Sequence, residues 1–308
     1  MQAIRLVNTS AMSRNDWLEH RRHGIGGSDA AVIMGVSPWT SLMDLWLEKT
    51  GQYVEGIDSE SMYWGRVLED VIAKEFAIRN KLKIRRVNAI LQHPDYPYMI
   101  ANVDRVIVGR KEGLEIKTGH EFSSQHWENG VPAYYYAQVQ HYMAVTGFKL
   151  WHIAVLIGGN KYEQFVVHRS EDYINELIAA EAEFWKLVEE RTPPPIDGTK
   201  ASTELVKKLY PEAEKGKEID LPFEAFELIQ QYERACEEEK RIQLIKDEAV
   251  NKLKDMLGTA ERGSIHGRTV IWQNVVSKRL DTKALQKEYP DIYERFAQES
   301  IYRRFSIK

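Results

Sequence analysis

Residues 98–119, YMIANVDRVIVGRKEGLEIKTG, contain the feature that most limits the folds open to this chain. Two apolar runs, residues 99–108 and 114–118, are separated by a short polar segment that carries Gly109 and Gly113. Glycines between two apolar runs of this length are typical of a reversal between strands. The segment therefore predicts two strands joined by a short polar turn.

Three charged side chains interrupt the apolar pattern of these predicted strands. Asp104 lies in the first run, and Glu115 and Lys117 lie two residues apart in the second. Because side chains alternate along a strand, Glu115 and Lys117 share one face while Ile116 points into the core. Two acids and a lysine on one sheet face suit a hard divalent cation beside a phosphate-bound water. The alternative is that they are ordinary exposed charges, since so short a pattern also arises by chance.

A glycine-rich segment nearer the start of the chain is the second candidate site. The sequence RRHGIGGSDAA places Arg21 and Arg22 before the glycines, and Ser28 and Asp29 after them. Residues 30–34 are predicted to form a helix with Ser28 as its N-cap. Amides at the start of such a helix bind anions, and a nearby guanidinium can contact the same anion through two nitrogens. The alternative is that the glycines form a simple connector.

Two predicted helices carry further polar candidates. Residues 61–79 have an amphipathic pattern that includes Glu69, whose alternative role is that of a solvated surface charge. Residues 133–146 predict a helix in which Gln138 and Tyr142, four residues apart, share a face. The aromatic residues of this second helix are typical of a core.

Composition sets limits on the class of protein. The formal net charge of −4 is a mild objection to nucleic-acid binding, because phosphate contacts require only local positive charge. The single cysteine, Cys236, excludes disulfides within the chain and four-cysteine zinc or iron–sulfur sites. No apolar run is long enough for a transmembrane helix, and the first residues lack the apolar segment of a secretory signal. We therefore expect a cytoplasmic protein that does not associate with a membrane.

A run of three prolines at positions 193–195, followed by polar residues, marks the predicted domain boundary. We expect a first domain over residues 1–192, a linker over residues 193–220 and a C-terminal region over residues 221–308. The C-terminal region is predicted to begin with a long charged helix and to continue as a small, basic α/β segment.

The order of these candidates along the chain resembles that of the PD-(D/E)xK nuclease superfamily. The closest resemblance is to the YqaJ-type viral recombinases, relatives of phage lambda exonuclease, and it extends over roughly residues 14–190. The motifs that carry it are RRHGIGGSDAA (21–31), SPWTSLMDLWLEKTG (37–51), YWGRVLE (63–69), ANVDR (101–105), LEIKT (114–118) and QVQHY (138–142). Valine rather than the family's proline precedes Asp104, a variation that leaves the acid in place.

The resemblance implies an α/β (α+β) fold of the restriction-endonuclease-like type. Its core is a mixed, mostly antiparallel sheet flanked by helices, followed by a C-terminal helical and small β extension. By the same resemblance, Asp104 and Glu115 bind Mg²⁺, which Mn²⁺ can replace, with two ions in each site. The Ile116 carbonyl and Glu69 are the further ligands that it implies.

The resemblance assigns the remaining candidates to the water and to the DNA end. Lys117 holds and polarises the attacking water, and Gln138 positions Lys117 or the scissile phosphate. Four candidates are assigned to the 5′-phosphate, namely Arg21, Arg22 as its alternative, Ser28 and the amide of Asp29.

The function that the resemblance implies is a metal-dependent 5′→3′ double-strand DNA exonuclease of a phage or prophage recombination system. Such an enzyme resects DNA ends to 3′ single-stranded tails for a single-strand annealing protein, and the family suggests a homo-oligomer in the form of a trimer. Two alternatives remain open. One is a structure-specific or restriction-type endonuclease on the same core, and the other is a non-catalytic DNA-binding subunit.

Overall fold

The computed structural model describes residues 3–52, 59–299 and 302–307. The chain divides into two compact units, Met1–Leu209 and Tyr210–Lys308. The elements of the first unit, in chain order, are β1 (Ile4–Asn8), α1 (Arg14–Arg22), α2 (Gly27–Ile33), α3 (Leu42–Lys49), α4 (Glu60–Asn80), β2 (Ile84–Arg86), β3 (Ala89–Gln92), β4 (Ile100–Ala101), β5 (Arg105–Ile107), β6 (Glu112–Gly119), a 3₁₀ helix (Glu121–Trp127), α5 (Ala133–Thr146), β7 (Leu150–Ile157), β8 (Lys161–His168), α6 (Glu171–Glu189) and α7 (Lys200–Leu209).

The main sheet of the first unit has five strands in the order β2-β5-β6-β7-β8. Strands β6 and β7 are parallel, and the other neighbouring strands are antiparallel. A parallel pair requires a long crossover, which the chain supplies by passing through α5 between β6 and β7. A second, antiparallel sheet has the order β1-β3-β4. The predicted mixed, mostly antiparallel sheet is confirmed.

Helices cover both faces of the main sheet. On one face, Ile72 and Phe76 of α4 pack in a buried cluster with Leu114 and Ile116 of β6. On the other face, a buried cluster joins α5 to β7 through Val139, Tyr142, Met143, Trp151, Ile153 and Val155. Because neighbouring residues of β6 face opposite helices, Ile116 lies against α4 and its neighbours face α5. The prediction that Ile116 points into the core is confirmed.

The predicted single strand over residues 99–108 is wrong. The chain forms β4 and β5 there, which belong to different sheets. The first half of residues 99–108 pairs with the segment before α2, because the Ile25 amide donates to the Tyr98 carbonyl and the Ile100 amide donates to the Ile25 carbonyl. An apolar run has the same alternation in either sheet, so the sequence pattern did not reveal the break.

The predicted linker over residues 193–220 is also wrong in part. Its middle forms α7, which belongs to the first unit. The Thr199 hydroxyl accepts from the Ser202 amide at the start of this helix, and the Leu205 side chain, 1% exposed, joins the cluster around Ile25. One buried leucine in a polar segment is too weak a pattern to predict a packed helix.

The second unit contains the long helix and the small α/β segment that the sequence predicted. Its long helix ends at Gly258, which has a φ of 54°, a backbone angle that suits glycine. Among the described residues, none of the helices of either unit has the length and apolar character needed to cross a membrane. The elements are α8 (Glu224–Leu257), β9 (Arg262–Ile265), β10 (Arg268–Ile271), α9 (Thr282–Glu288) and α10 (Pro290–Phe296).

Candidate active site

The candidate site begins where β5 and β6 diverge. These strands pair only from Arg105 opposite Leu114 to Val106 opposite Gly113, whereas β6 continues along β7 for its whole length. Beyond that point the Asp104 side chain takes the place of a neighbouring strand, since its Oδ2 accepts from the Ile116 amide at 2.9 Å. The break between β4 and β5 therefore places a carboxylate beside the edge of β6.

Glu115 and Lys117 face α5 from β6 and contact each other. The Lys117 Nζ donates to Glu115 Oε1 at 2.7 Å, so the two side chains share a face, as predicted. The same Glu115 oxygen accepts from Gln138 Nε2 at 2.7 Å, and Gln138 also donates to the Tyr142 hydroxyl at 2.8 Å. Among the described residues, the buried Glu115 Oε2 has no hydrogen-bond partner.

Burial and mutual repulsion make these acids reluctant to ionise. Burial, followed by repulsion from Glu115, raises the pKa of Asp104 well above its ordinary value. Burial also raises the pKa of Glu115, although the Lys117 charge opposes the shift. Burial disfavours the Lys117 charge, but Glu115, Tyr135 and Asp104 outweigh it, so the pKa of Lys117 is raised. Lys117 therefore remains a cation at neutral pH.

Glu69 comes to the site from α4 and is held by an arginine. One of its oxygens accepts from Arg105 Nη1 at 2.6 Å, while Arg105 Nη2 contacts Asp70 Oδ1 at 2.5 Å. Glu69 lines the same cleft as Asp104 and Glu115. Sequence reasoning missed Arg105, whose signal was its place directly after Asp104 in the ANVDR motif.

The site offers two hard carboxylates to a divalent cation, with one unpartnered oxygen on Glu115. Among the described residues, no group of three or more His, Cys, Asp or Glu side chains has an arrangement that could hold a metal ion. Glu69 is instead in contact with Arg105. The roles of Glu69 and of the Ile116 carbonyl as ligands stay predictions.

The glycine-rich segment brings its candidates together at the same cleft. Arg21 Nη2 donates to Ser28 Oγ at 2.8 Å and to Asp29 Oδ1 at 2.6 Å. Arg21 lines the cleft together with Asp104, Glu115 and Lys117. Arg22 instead contacts Glu19 Oε2 at 3.0 Å within α1. Of the two alternatives, the cleft therefore holds Arg21.

The predicted start of the second helix is wrong. Helix α2 begins at Gly27 with Gly26 as the N-cap, so Ser28 lies inside the first turn. The Asp29 carboxylate accepts from the Gly26 amide at 2.9 Å, and the Asp29 amide donates to the Gly26 carbonyl at 3.0 Å. That amide, predicted to bind phosphate, is used inside the helix. Asp29 supplies a carboxylate to cap its own helix, which glycine at the N-cap cannot do.

A buried lysine that sequence reasoning missed completes this part of the site. Lys49 Nζ, at the end of α3, donates to Asp29 Oδ2 at 2.7 Å and to the Arg21 carbonyl at 3.0 Å. Burial favours neutral Asp29, but Arg21 and Lys49 outweigh it and hold the pKa of Asp29 well below its ordinary value. Arg21 and Lys49 thus both contact the Asp29 carboxylate, and Lys49 also lies 3.6 Å from Glu48 Oε1. The signal for Lys49 was its place in the LEKT segment.

Gly27 lets α2 approach α5 more closely than any other residue would. A Cβ at this position would lie 2.5 Å from Tyr142 Cε1 and 3.0 Å from Gln138 Cγ. We expect Gly27→Ala to lower the free energy of unfolding by about 1–3 kcal/mol, because the methyl must displace the Tyr142 ring. Urea unfolding measures this change.

Gly65→Ala is the matched control for that measurement. Gly65 also lies in a helix, but its added Cβ would meet nothing closer than Thr118 Oγ1 at 3.6 Å. Alanine at this position should keep or raise the stability of the protein. Equal stability of the two alanine variants would contradict the close contact at Gly27.

Comparison with known proteins shows the family of the chain. The model of the YqaJ-like viral recombinase domain matches residues 16–149. The uncharacterized protein YqaJ of Bacillus subtilis (strain 168) is 44% identical over 308 residues, which cover 98% of this chain and 97% of that protein. The chain belongs to the YqaJ-like viral recombinase family.

Solved structures agree with the fold of this YqaJ-family chain. The alkaline exonuclease LHK-Exo of Laribacter hongkongensis superimposes with a TM-score of 0.50 at 18% identity, covering 64% of this chain and 100% of that one. LHK-Exo in complex with dAMP superimposes with a TM-score of 0.50 at 20% identity, covering 63% and 97%. The predicted PD-(D/E)xK core is thereby confirmed, and the chain is a recombinase-family protein with the fold of an exonuclease.

Proposed function

We propose that this protein is a metal-dependent 5′→3′ double-strand DNA exonuclease that resects ends to 3′ single-stranded tails. One observation carries the proposal: Arg21 lines the same cleft as Asp104, Glu115 and Lys117. A nuclease that cuts internally needs only the two acids and the lysine. A guanidinium beside them gives a terminal phosphate a place to bind, so each cut creates a new end for the same place.

The carboxylates of the cleft are of the chemical type that binds divalent cations. Asp104 and Glu115 would hold Mg²⁺ or Mn²⁺, with the Ile116 carbonyl and Glu69 as further ligands, and we propose two ions. Burial raises the pKa values of Asp104 and Glu115, and repulsion from Glu115 adds to the shift at Asp104; a bound cation would favour the ionised form of both acids. Glu115 Oε2 has no hydrogen-bond partner among the described residues. When bound, the metal neutralises charge on the attacking and leaving oxygens of the phosphodiester.

Lys117 holds the attacking water. Glu115, Tyr135 and Asp104 raise the pKa of Lys117, so its ammonium group can donate to the water and stabilise negative charge. Gln138 fixes the orientation of Glu115 through the 2.7 Å hydrogen bond to Oε1. Lys117 and Gln138 thus meet at one carboxylate oxygen, which couples the position of the water to that of the acid.

Arg21 and Ser28 hold the 5′-phosphate of the strand that is digested. The Arg21 guanidinium is already bound to Ser28 and Asp29, so its orientation is set before DNA arrives. Lys49 offsets the Asp29 charge, which would otherwise repel the phosphate. Asp29 therefore positions Arg21 rather than binding the DNA itself.

Digestion of linear duplex DNA with Mg²⁺ tests the proposal. Rapid loss of one strand from 5′-phosphorylated ends, slower loss from 5′-hydroxyl ends, sparing of closed circles and arrest by EDTA are the expected results. Cutting of circles would establish an endonuclease instead. Absence of cleavage with Mg²⁺ or Mn²⁺, together with retained DNA binding, would establish a non-catalytic subunit.

Arg21→Gln is expected to remove the preference for phosphorylated ends. The loss of a charged hydrogen-bond donor to a phosphate should slow digestion of 5′-phosphorylated ends by about 10- to 100-fold, with little change for 5′-hydroxyl ends. The ratio of the two rates is the measurement. Arg22→Gln is the matched control, because the neighbouring arginine contacts Glu19 and should keep the ratio. Equal slowing of both substrates by Arg21→Gln would reject the phosphate role.

The family also suggests the setting of this activity. We propose action in the cytoplasm of a bacterial host, in a phage or prophage recombination system that includes a single-strand annealing protein. A ring-shaped trimer would keep the enzyme on its DNA between cuts. Light scattering of the purified protein measures the oligomeric state, and a monomer at working concentration would reject the trimer.

A further inference from the structure

Two adjoining pockets form a groove that leads away from the candidate active site on the side of Asp104. The first part of the groove is lined by Thr9, Asn102 and Asn88 and shares Glu69 and Asp104 with the cleft that holds Arg21. The second part shares Asn88 and Arg86 with the first, and its lining adds two more arginines, Arg5 and Arg85. Asp104 therefore lies at the junction of the cleft and this path, which we name the arginine groove.

The edges of the two sheets form the arginine groove. Arg5 lies on β1, at the edge of the three-stranded sheet, and Arg85 and Arg86 lie on β2, at the edge of the main sheet. The Arg5 guanidinium donates to the Asn88 carbonyl, in the segment between β2 and β3, at 3.1 Å. The arginines project from two different edges, so their spacing is set by the fold.

The charge of the arginine groove is positive although the chain carries a net charge of −4. Among the described residues, the lining of its second part contains no acidic side chain. Asp70 contacts Arg86 at 2.6 Å from outside, but it also contacts Arg105 at 2.5 Å, so one carboxylate is divided between two guanidinium groups. Arg5 and Arg85 are both exposed to solvent. Local positive charge of this kind is what a phosphate backbone requires.

We infer that the arginine groove binds the sugar–phosphate backbone of the digested strand on the 3′ side of the cleavage point. This inference rests on the proposed function, which puts the terminal phosphate at Arg21 and the scissile phosphate at Asp104. A strand that enters at Arg21 and passes Asp104 leaves the cleft at the junction where the groove begins. Asn88, Asn102 and Thr9 offer hydrogen-bond donors along the first part, and the arginines hold the phosphates beyond them.

The first test is the salt dependence of DNA binding by the full-length chain, measured in EDTA so that no strand is cut. The Arg5→Gln, Arg85→Gln double variant should bind linear duplex DNA more weakly, and the slope of log K against log salt should decrease in magnitude by about 2. Arg110→Gln is the matched control, since Arg110 is an exposed arginine outside the groove. An unchanged slope in the double variant would overturn the inference.

Neutral methylphosphonate linkages then identify the strand. Linkages placed on the 3′ side of the first phosphodiester of the digested strand should weaken binding by the wild-type protein and have little further effect on the double variant. Such non-additivity is expected only when arginine and phosphate contact each other. Additive effects, or non-additivity with the complementary strand instead, would overturn the strand assignment.

Two readouts separate this inference from the proposed function. The double variant should keep the full preference for 5′-phosphorylated ends, because Arg21 is untouched. A wild-type protein that fails to digest ends would reject the exonuclease, and with it the 5′-to-3′ course of the strand through the groove. A wild-type protein that digests ends normally, beside a double variant with unchanged DNA binding, would reject the groove alone.

Discussion

Lys117→Met is expected to lower the rate of DNA cleavage by about 10²- to 10³-fold or more while leaving DNA binding nearly unchanged. The Lys117 ammonium group lies against Glu115 in the cleft. Glu115, Tyr135 and Asp104 favour its protonated form and so raise the pKa of Lys117. Methionine keeps most of the alkyl stem, whereas the charged donor, which also lies 4.7 Å from the centre of the Tyr135 ring, is lost. Single-turnover digestion of a 5′-phosphorylated duplex measures the effect.

Lys161→Met is a matched control for this substitution. Lys161 is an exposed lysine on β8 that contacts Glu163 at 2.6 Å, so its loss should change neither cleavage nor DNA binding. Lys117→Met protein that cleaves at the wild-type rate would reject the role of Lys117 in the reaction. A cleavage loss matched by an equal loss of binding would assign Lys117 to substrate binding alone.

Lys49→Met is expected to have the largest effect on stability, lowering the free energy of unfolding by about 3–5 kcal/mol. The Lys49 side chain is 0% exposed, and its loss leaves the buried Asp29 carboxylate with Arg21 as its remaining cation. A buried carboxylate that has lost one of its cations destabilises the folded protein far more than a solvated carboxylate does. The shift of the urea midpoint, with an unchanged slope, is the measurement.

The double variant Lys49→Met, Asp29→Asn separates charge from packing. Removing the acid as well should restore part of the lost stability, because no unpaired carboxylate remains buried. Stability losses that simply add would show that Lys49 contributes by filling space. The double variant should also lose its preference for 5′-phosphorylated ends, since Arg21 no longer has the acid that orients it.

Local patterns predicted those parts of the structure that depend on neighbouring residues. The two-residue spacing of Glu115 and Lys117 predicted a shared face, and their 2.7 Å contact follows from strand alternation alone. The helix over residues 133–146 has the predicted bounds, because glycine and proline punctuate the sequence on either side. Asp104 was found for a similar reason, as a charge inside an apolar run.

The missed arginine, the missed lysine and the missed break between strands all depend on contacts between distant parts of the chain. Arg105 contacts acids on α4, and Lys49 contacts Asp29 twenty residues away, so neither has a local pattern that marks it as buried. The break between β4 and β5 follows from Ile25, whose backbone forms hydrogen bonds with Tyr98 and Ile100 at the start of the predicted strand. Sequence patterns describe which face of a strand is apolar, but they do not identify the partner that covers it.

The gap at Gly27, too small for a methyl group, has a consequence for how the enzyme measures DNA. Helix α2 carries the Arg21 contacts and helix α5 carries Gln138, which holds Glu115, so their direct contact sets the separation between the two ends of the cleft. On the proposed function, that separation fixes the distance between the bound terminal phosphate and the phosphodiester that is cut. The product length is then a property of backbone packing, and the Gly27→Ala protein should release fragments of altered or mixed length. Fragments of unchanged, uniform length would show that the contact between α2 and α5 does not set the product length.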